Sequence, residues 1–138
     1  MSEIVLADAP GDGVLSLKGV RRCRGCVSCL TATPGACAIS DSFSAEIPGI
    51  LAADRLIIEV DIGSGRVPAD IMKAVERLSN ILEAYTDSGG NIPLPMESAG
   101  LREILFRVAG RVDDRDFEDE MVKNLRKGPV ETVSFEYN

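Results

Sequence analysis

The sequence predicts one α/β domain, residues 1–138, built on a mostly parallel sheet flanked by helices. Three observations carry that prediction. Aliphatic, β-branched runs such as "RLIIEVDI" (55–62) read as buried strands. Between them lie segments whose apolar residues recur at helical spacing. Strands alternating with helices imply a parallel sheet, with cover on both faces. At 138 residues the chain can bury a single core, and no repeat or low-complexity segment divides it.

In order along the chain, "EIVLAD" (3–8) is a short strand and "APGDG" (9–13) is turn chemistry. "VLSLK" (14–18) makes a second short strand. The separation is too small for a full parallel crossover, so a hairpin is expected. A cysteine-rich loop follows at 23–37, bent at Pro34 and Gly35. "SAEIPGILAAD" (44–54) reads as a short helix capped by Ser44, with Pro48 early enough to be tolerated. Pro68 suits the first turn of a long helix, where Ile71, Ala74, Val75, Leu78, Ile81, Leu82 and Tyr85 form one apolar stripe.

"DSGG" (87–90) stops that helix, and "NIPLPMESAG" is a loop. "REILFRVAG" (102–110) reads as a strand, although Leu101, Leu105 and Val108 would also suit a helix. "DDRDFEDEMVKNLRKG" (113–128) is a helix capped by Asp113 or Asp114 and stopped at Gly128. Its buried face is Phe117, Met121, Val122 and Leu125. "VETVSFEY" (130–137) alternates, with Val133, Phe135 and Tyr137 on one side.

Composition narrows the chemistry. A net charge of −7 argues against nucleic acid and anionic membranes as partners. No apolar run approaches a membrane span, and "MSEIVLADAPGDGV" lacks the features of a signal peptide. The expectation is a cytoplasmic protein. The chain contains no histidine, which removes His-based triads and His-ligated zinc. Asp61, Ser64 and Lys73 are the nearest substitutes, and they do not predict hydrolase or transferase activity.

All four cysteines, Cys23, Cys26, Cys29 and Cys37, fall in the pattern C-x2-C-x2-C-x7-C. In a reducing compartment such a cluster binds metal or does redox chemistry more often than it forms disulfides. Four thiolates are the ligand set of a [4Fe–4S] cluster, and consecutive C-x2-C steps recur in cluster-binding runs. A four-thiolate zinc site uses two separated C-x2-C knuckles, whereas here they overlap on Cys26. Zinc and plain or disulfide-bonded thiols remain the alternatives. Arg21, Arg22 and Arg24 beside the first ligand either offset a cluster's charge or are solvated surface arginines.

From "CRGCVSC", through "PGACAISD" and "ILAADRLIIEV", to "VPADIMKAVERLSN", the chain resembles the flavodoxin-like iron–sulfur flavoproteins. These are relatives of the NADPH-dependent FMN reductases. The resemblance covers about residues 20 to 82 and implies a truncated flavodoxin-like sheet. It also implies one [4Fe–4S] cluster on Cys23, Cys26, Cys29 and Cys37, and FMN at the C-terminal ends of the strands. "ADAPGDG" lacks the hydroxyl-rich phosphate loop and first helix of that family, and "EVDIGSG" (59–65) lacks its proline and aromatic. Gly63, Ser64 and Gly65 remain as a flavin or anion loop ahead of a helix.

The expected function is therefore electron transfer to or from a redox partner protein through a [4Fe–4S] cluster. The alternatives are an FMN-dependent NAD(P)H oxidoreductase with a flavin site shared between subunits, and a non-redox scaffold stapled by zinc or disulfides. A missing first helix leaves part of the sheet uncovered, so a homodimer is expected.

Overall fold

The computed structural model of the chain describes residues 2–7, 13–25, 29, 35–63, 66–86, 94–110 and 116–137. Five strands form one sheet: β1 (Glu3–Ala7), β2 (Leu15–Ser16), β3 (Arg55–Asp61), β4 (Glu103–Ala109) and β5 (Thr132–Tyr137). Their order is β2-β1-β3-β4-β5, and every pairing is parallel. Three helices join them: α1 (Ser42–Ala52), α2 (Ala69–Glu83) and α3 (Asp116–Leu125). This is the α/β architecture that the alternating pattern predicts, in the truncated flavodoxin-like form that the resemblance implies. No described helix is long and apolar enough to cross a membrane.

The expected β1–β2 hairpin is not formed. Leu6 lies opposite Leu15 and Ala7 opposite Ser16 in parallel register, and the Leu17 N–H donates to the Ala7 carbonyl at 2.8 Å. A full-length parallel partner needs a long crossover. A partner of two residues at the C-terminal end of β1 needs the chain to step back by only about one residue, ~3.3 Å.

Register explains how the core is organised. Leu6, Ile58, Phe106 and Phe135 stand in one row across four strands. Phe117 of α3 meets both Phe106 and Phe135 edge-on, with centroids at 6.0 and 5.8 Å. Phe43 and Ile47 of α1 and Ile71 and Leu78 of α2 belong to the same contiguous core. The steps from β2 to β3, β3 to β4 and β4 to β5 all run the same way across the sheet. Right-handed crossovers then place all three helices on one face.

The expected cover on both faces is therefore corrected. Among the described residues no helix packs on the second face. There Val5, Ile57 and Leu105 form a row outside the main core, although Ile57 and Leu105 are themselves buried. Charged rows flank it: Arg55 bridges Glu3 and Glu103 on one side, and Arg107 faces Glu136 at 4.0 Å on the other. Long charged side chains shield an aliphatic row with their stems.

The apolar stripe of α2 is buried at every expected position from Ile71 to Tyr85. Pro68 occupies the N-cap, one residue ahead of the helix. For α1 the cap is Asp41 rather than Ser44: the Asp41 carboxylate accepts the Ser44 N–H at 2.9 Å. The helix starts earlier than expected, so Pro48 lies past the first turn, with no N–H for the Ser44 carbonyl. Gly128 follows α3 with φ +59°, and a Cβ there would stand 2.9 Å from the Leu82 carbonyl oxygen. The expected caps Asp113 and Asp114 lie outside the described residues. Val133 and Phe135 pack against the core, while Tyr137 is exposed and its hydroxyl donates to Glu118.

Candidate functional site

The cysteine loop leaves the sheet after β2 and returns at α1. Buried Leu17 and Val20 anchor its start, and buried Ile39 and Phe43 anchor its return. Between these anchors, the described residues meet Arg77, Asn80 and Ile81 in the C-terminal half of α2. Cys23, Cys29 and Cys37 line one cavity of about 200 Å³ together with Arg24, Arg77 and Asn80. Cys26 lies outside the described residues. Among the described residues, no group of three Cys, Asp or Glu side chains is placed to hold a metal ion.

Donors converge on two of the sulfurs. Asn80 Nδ2 donates to Cys23 Sγ at 3.2 Å, and the Gly25 N–H donates to the same sulfur at 3.4 Å. Arg77 Nη2 donates to Cys37 Sγ at 3.4 Å. Glu76 accepts the Cys23 N–H at 3.2 Å. Helical geometry accounts for the grouping, since Arg77 and Asn80 are three apart and share a side of α2. Gly25 has φ +70°, a conformation that favours glycine and lets the chain turn back over Cys23.

Arg77 is the organising residue. It is 1% exposed, although it carries a full charge. Asp41 compensates that charge through a forked pair, Nη1 to Oδ2 at 2.6 Å and Nη2 to Oδ1 at 3.1 Å. Ser44 Oγ accepts from Nη2 at 2.6 Å, the Arg21 carbonyl accepts from Nη1 at 3.3 Å, and the guanidinium stands 4.9 Å from the centroid of the Phe43 ring. Its Nε has no partner among the described residues. Burial works against both charges but does not prevail. Hydrogen bonds from Arg77 and from the Ser44 and Arg21 N–H groups hold the Asp41 pKa at about 2. Those to Asp41 and Cys37 raise that of Arg77.

The pattern of cysteines located the loop, but Arg77, Asn80 and Asp41 carried no functional role in the sequence reading. One signal was available. Arg77 falls three residues after Ala74 and four before Ile81, inside the apolar stripe, where a charge requires a buried partner. The three arginines near the first cysteine separate in space. All are exposed: Arg24 lines the cysteine cavity, while Arg22 lines a larger cleft of about 580 Å³ that shares Asn80 with it. Arg21 contributes its backbone to the Asp41–Arg77 pair.

The proposed anion loop is elsewhere. The Gly63 N–H donates to Asp61 Oδ1 at 2.9 Å, so the chain's own carboxylate takes the amide that a phosphate would need. Ser64 and Gly65 lie outside the described residues. The cysteine cavity contacts α2 eight to twelve residues beyond the helix start, roughly 12–18 Å along its axis. Lys73 pairs with Asp70 at 3.3 Å, within α2.

Compared with known proteins, the chain matches no family model, no curated protein and no solved structure.

Proposed function

We propose that the protein transfers electrons through a [4Fe–4S] cluster held by Cys23, Cys26, Cys29 and Cys37 on a flavodoxin-like scaffold. One observation carries the reading. Three of the four cysteines line a single cavity, and side-chain donors of α2 reach two of their sulfurs. Thiolate ligands accept such N–H···S bonds, which also tune a metal centre. A cavity of about 200 Å³ has room for a polyatomic group.

When bound, such a cluster supplies a one-electron couple. The chain's residues do the rest. Cysteine thiolates bind, Arg77 and Asn80 orient sulfurs, and the apolar side chains of Ile39 and Ile81 limit water on one side of the cavity. FMN forms no part of this proposal, because Asp61 already occupies the Gly63 amide.

Protein purified without oxygen, or reconstituted with ferrous iron and sulfide, should contain iron and acid-labile sulfide and show broad visible absorbance. Cys23→Ser and Cys37→Ser should each lose most of the iron. Stoichiometric zinc without sulfide, or variants that retain iron fully, would overturn the assignment.

A homodimer and a redox partner protein complete the reading. The helix-free sheet face and the two-residue edge strand β2 favour association with a second copy. Sedimentation at micromolar concentration should give a dimer, and a mass near 14.7 kDa would count against it.

A further inference from the structure

Two donors on one side of α2 each reach the sulfur of a different cysteine, and they differ in kind. Asn80 brings a neutral amide to Cys23 at 3.2 Å, while Arg77 brings a guanidinium to Cys37 at 3.4 Å. The guanidinium is 1% exposed, so water screens its effect on the sulfur far less than it screens the exposed Arg22 and Arg24. Asp41 neutralises Arg77 overall, but only the guanidinium reaches the sulfur, so the pair presents its positive end to Cys37. Arg77 lines the cavity, and its buried Nε–H has no acceptor among the described residues. A buried N–H without an acceptor is costly, which marks a place where a bound group with acceptor atoms would be stabilised.

We infer that Asn80 and Arg77 set the reduction potential of the sulfur-ligated centre, and that Arg77 Nε provides a further donor to it. This rests on the cluster reading above and goes beyond it by naming the residues that tune the centre. One-electron reduction, by a partner or by dithionite, adds one negative charge to the centre and its sulfurs. Donors already aimed at those sulfurs stabilise the added charge without rearranging, and so raise the potential. Both residues are positioning residues, acting through Cys23 and Cys37.

The exposed arginines identified from sequence are thereby assigned a smaller part. Arg22 lies in the larger cleft, and Arg24 stands at the cavity edge with its charge in solvent.

Asn80 offers the cleaner test because it is only partly buried and belongs to no ion pair. Asn80→Leu keeps the shape and removes the donor, whereas Asn80→Asp keeps the shape and replaces the donor with a negative acceptor. Wild type, these two variants and Arg77→Lys would be reconstituted anaerobically with iron and sulfide and titrated with dithionite, following visible absorbance and electron paramagnetic resonance. The potential should shift negative in Asn80→Leu and further in Asn80→Asp. Arg77→Lys, which keeps charge but loses the fork, should also shift negative.

A purely structural role would lower the melting temperature and leave the potentials alone. Equal potentials in iron-loaded wild type and Asn80 variants would overturn the inference while leaving the cluster reading intact. Wild-type protein that takes up no iron and sulfide would overturn both.

Discussion

Arg77→Met is expected to destabilise the protein by about 3–5 kcal/mol, the range for removing one partner of a buried pair. Asp41 would then be left ionised with its side chain only 9% exposed, and its bonds from Nη1 and Nη2 lost. The contact of the guanidinium with Phe43 would go as well. Asp41→Asn in the same chain should recover part of the loss, because asparagine still caps α1 and no charge is then stranded. Urea denaturation of wild type, the single variant and the double variant measures both effects. A single variant within experimental error of wild type would refute the assignment of Arg77 as the buried partner of Asp41.

Acid should reveal the same pair. The folded pKa of Asp41 is about 2, below its ordinary value of 3.8. Its contribution, on the order of 2 kcal/mol, is therefore fully present above about pH 4 and disappears as the pH falls toward 2. Arg77 stays protonated in both states over that window and adds no pH dependence. Asp41→Asn should flatten this part of the stability profile.

Phe106→Ala is expected to cost a further 3–5 kcal/mol, for a different reason. Phe106 is fully buried at the middle of β4, stacked on Phe135 at 5.3 Å and edge-on to Phe117 at 6.0 Å. Truncation removes apolar area, leaves a cavity and breaks two ring contacts worth about 0.5–1.5 kcal/mol each. A rigid sheet beneath and α3 above leave little scope for collapse. The denaturation midpoint should fall with its slope unchanged, and iron content at low temperature should match wild type, because the substitution lies away from the cysteine cavity. A loss below about 1 kcal/mol would mean that the site repacks.

These two residues also show what was legible in the sequence. The strand that carries Phe106 was only partly readable: "REILFRVAG" has a strand's composition, but Leu101, Leu105 and Val108 also fit helical spacing, and three consecutive buried residues hide the strand period. The α2 stripe was readable, because seven residues at helical spacing exclude a strand. What escaped depended on contacts distant in sequence. Asp41 and Ser44 are both good caps, and choosing between them needed the position of Arg77, 36 residues on. The parallel β1–β2 pairing escaped because connection length was judged against a full strand, whereas two residues of pairing sufficed. The single-faced placement of the helices was half legible: the resemblance implied a flavodoxin-like sheet without its first helix, whereas the alternation of strands and helices alone suggested cover on both faces.

Strand order and register leave the sheet asymmetric, but the cysteine loop stands apart from that asymmetry. Its two ends meet: the Arg21 N–H donates to Asp41 Oδ2 at 3.2 Å, and Arg77 binds both the Arg21 carbonyl and the Asp41 carboxylate. The segment between Arg21 and Asp41 thus begins and finishes at one residue of α2, Arg77. Such an insertion can lengthen, shorten or be exchanged without altering the sheet, because loop closure costs grow only slowly with length. The cysteine segment therefore has the form of a transplantable cassette, whose acceptor must supply counterparts of Arg77, Asn80 and Glu76 on a neighbouring helix and of Asp41 at the point of return.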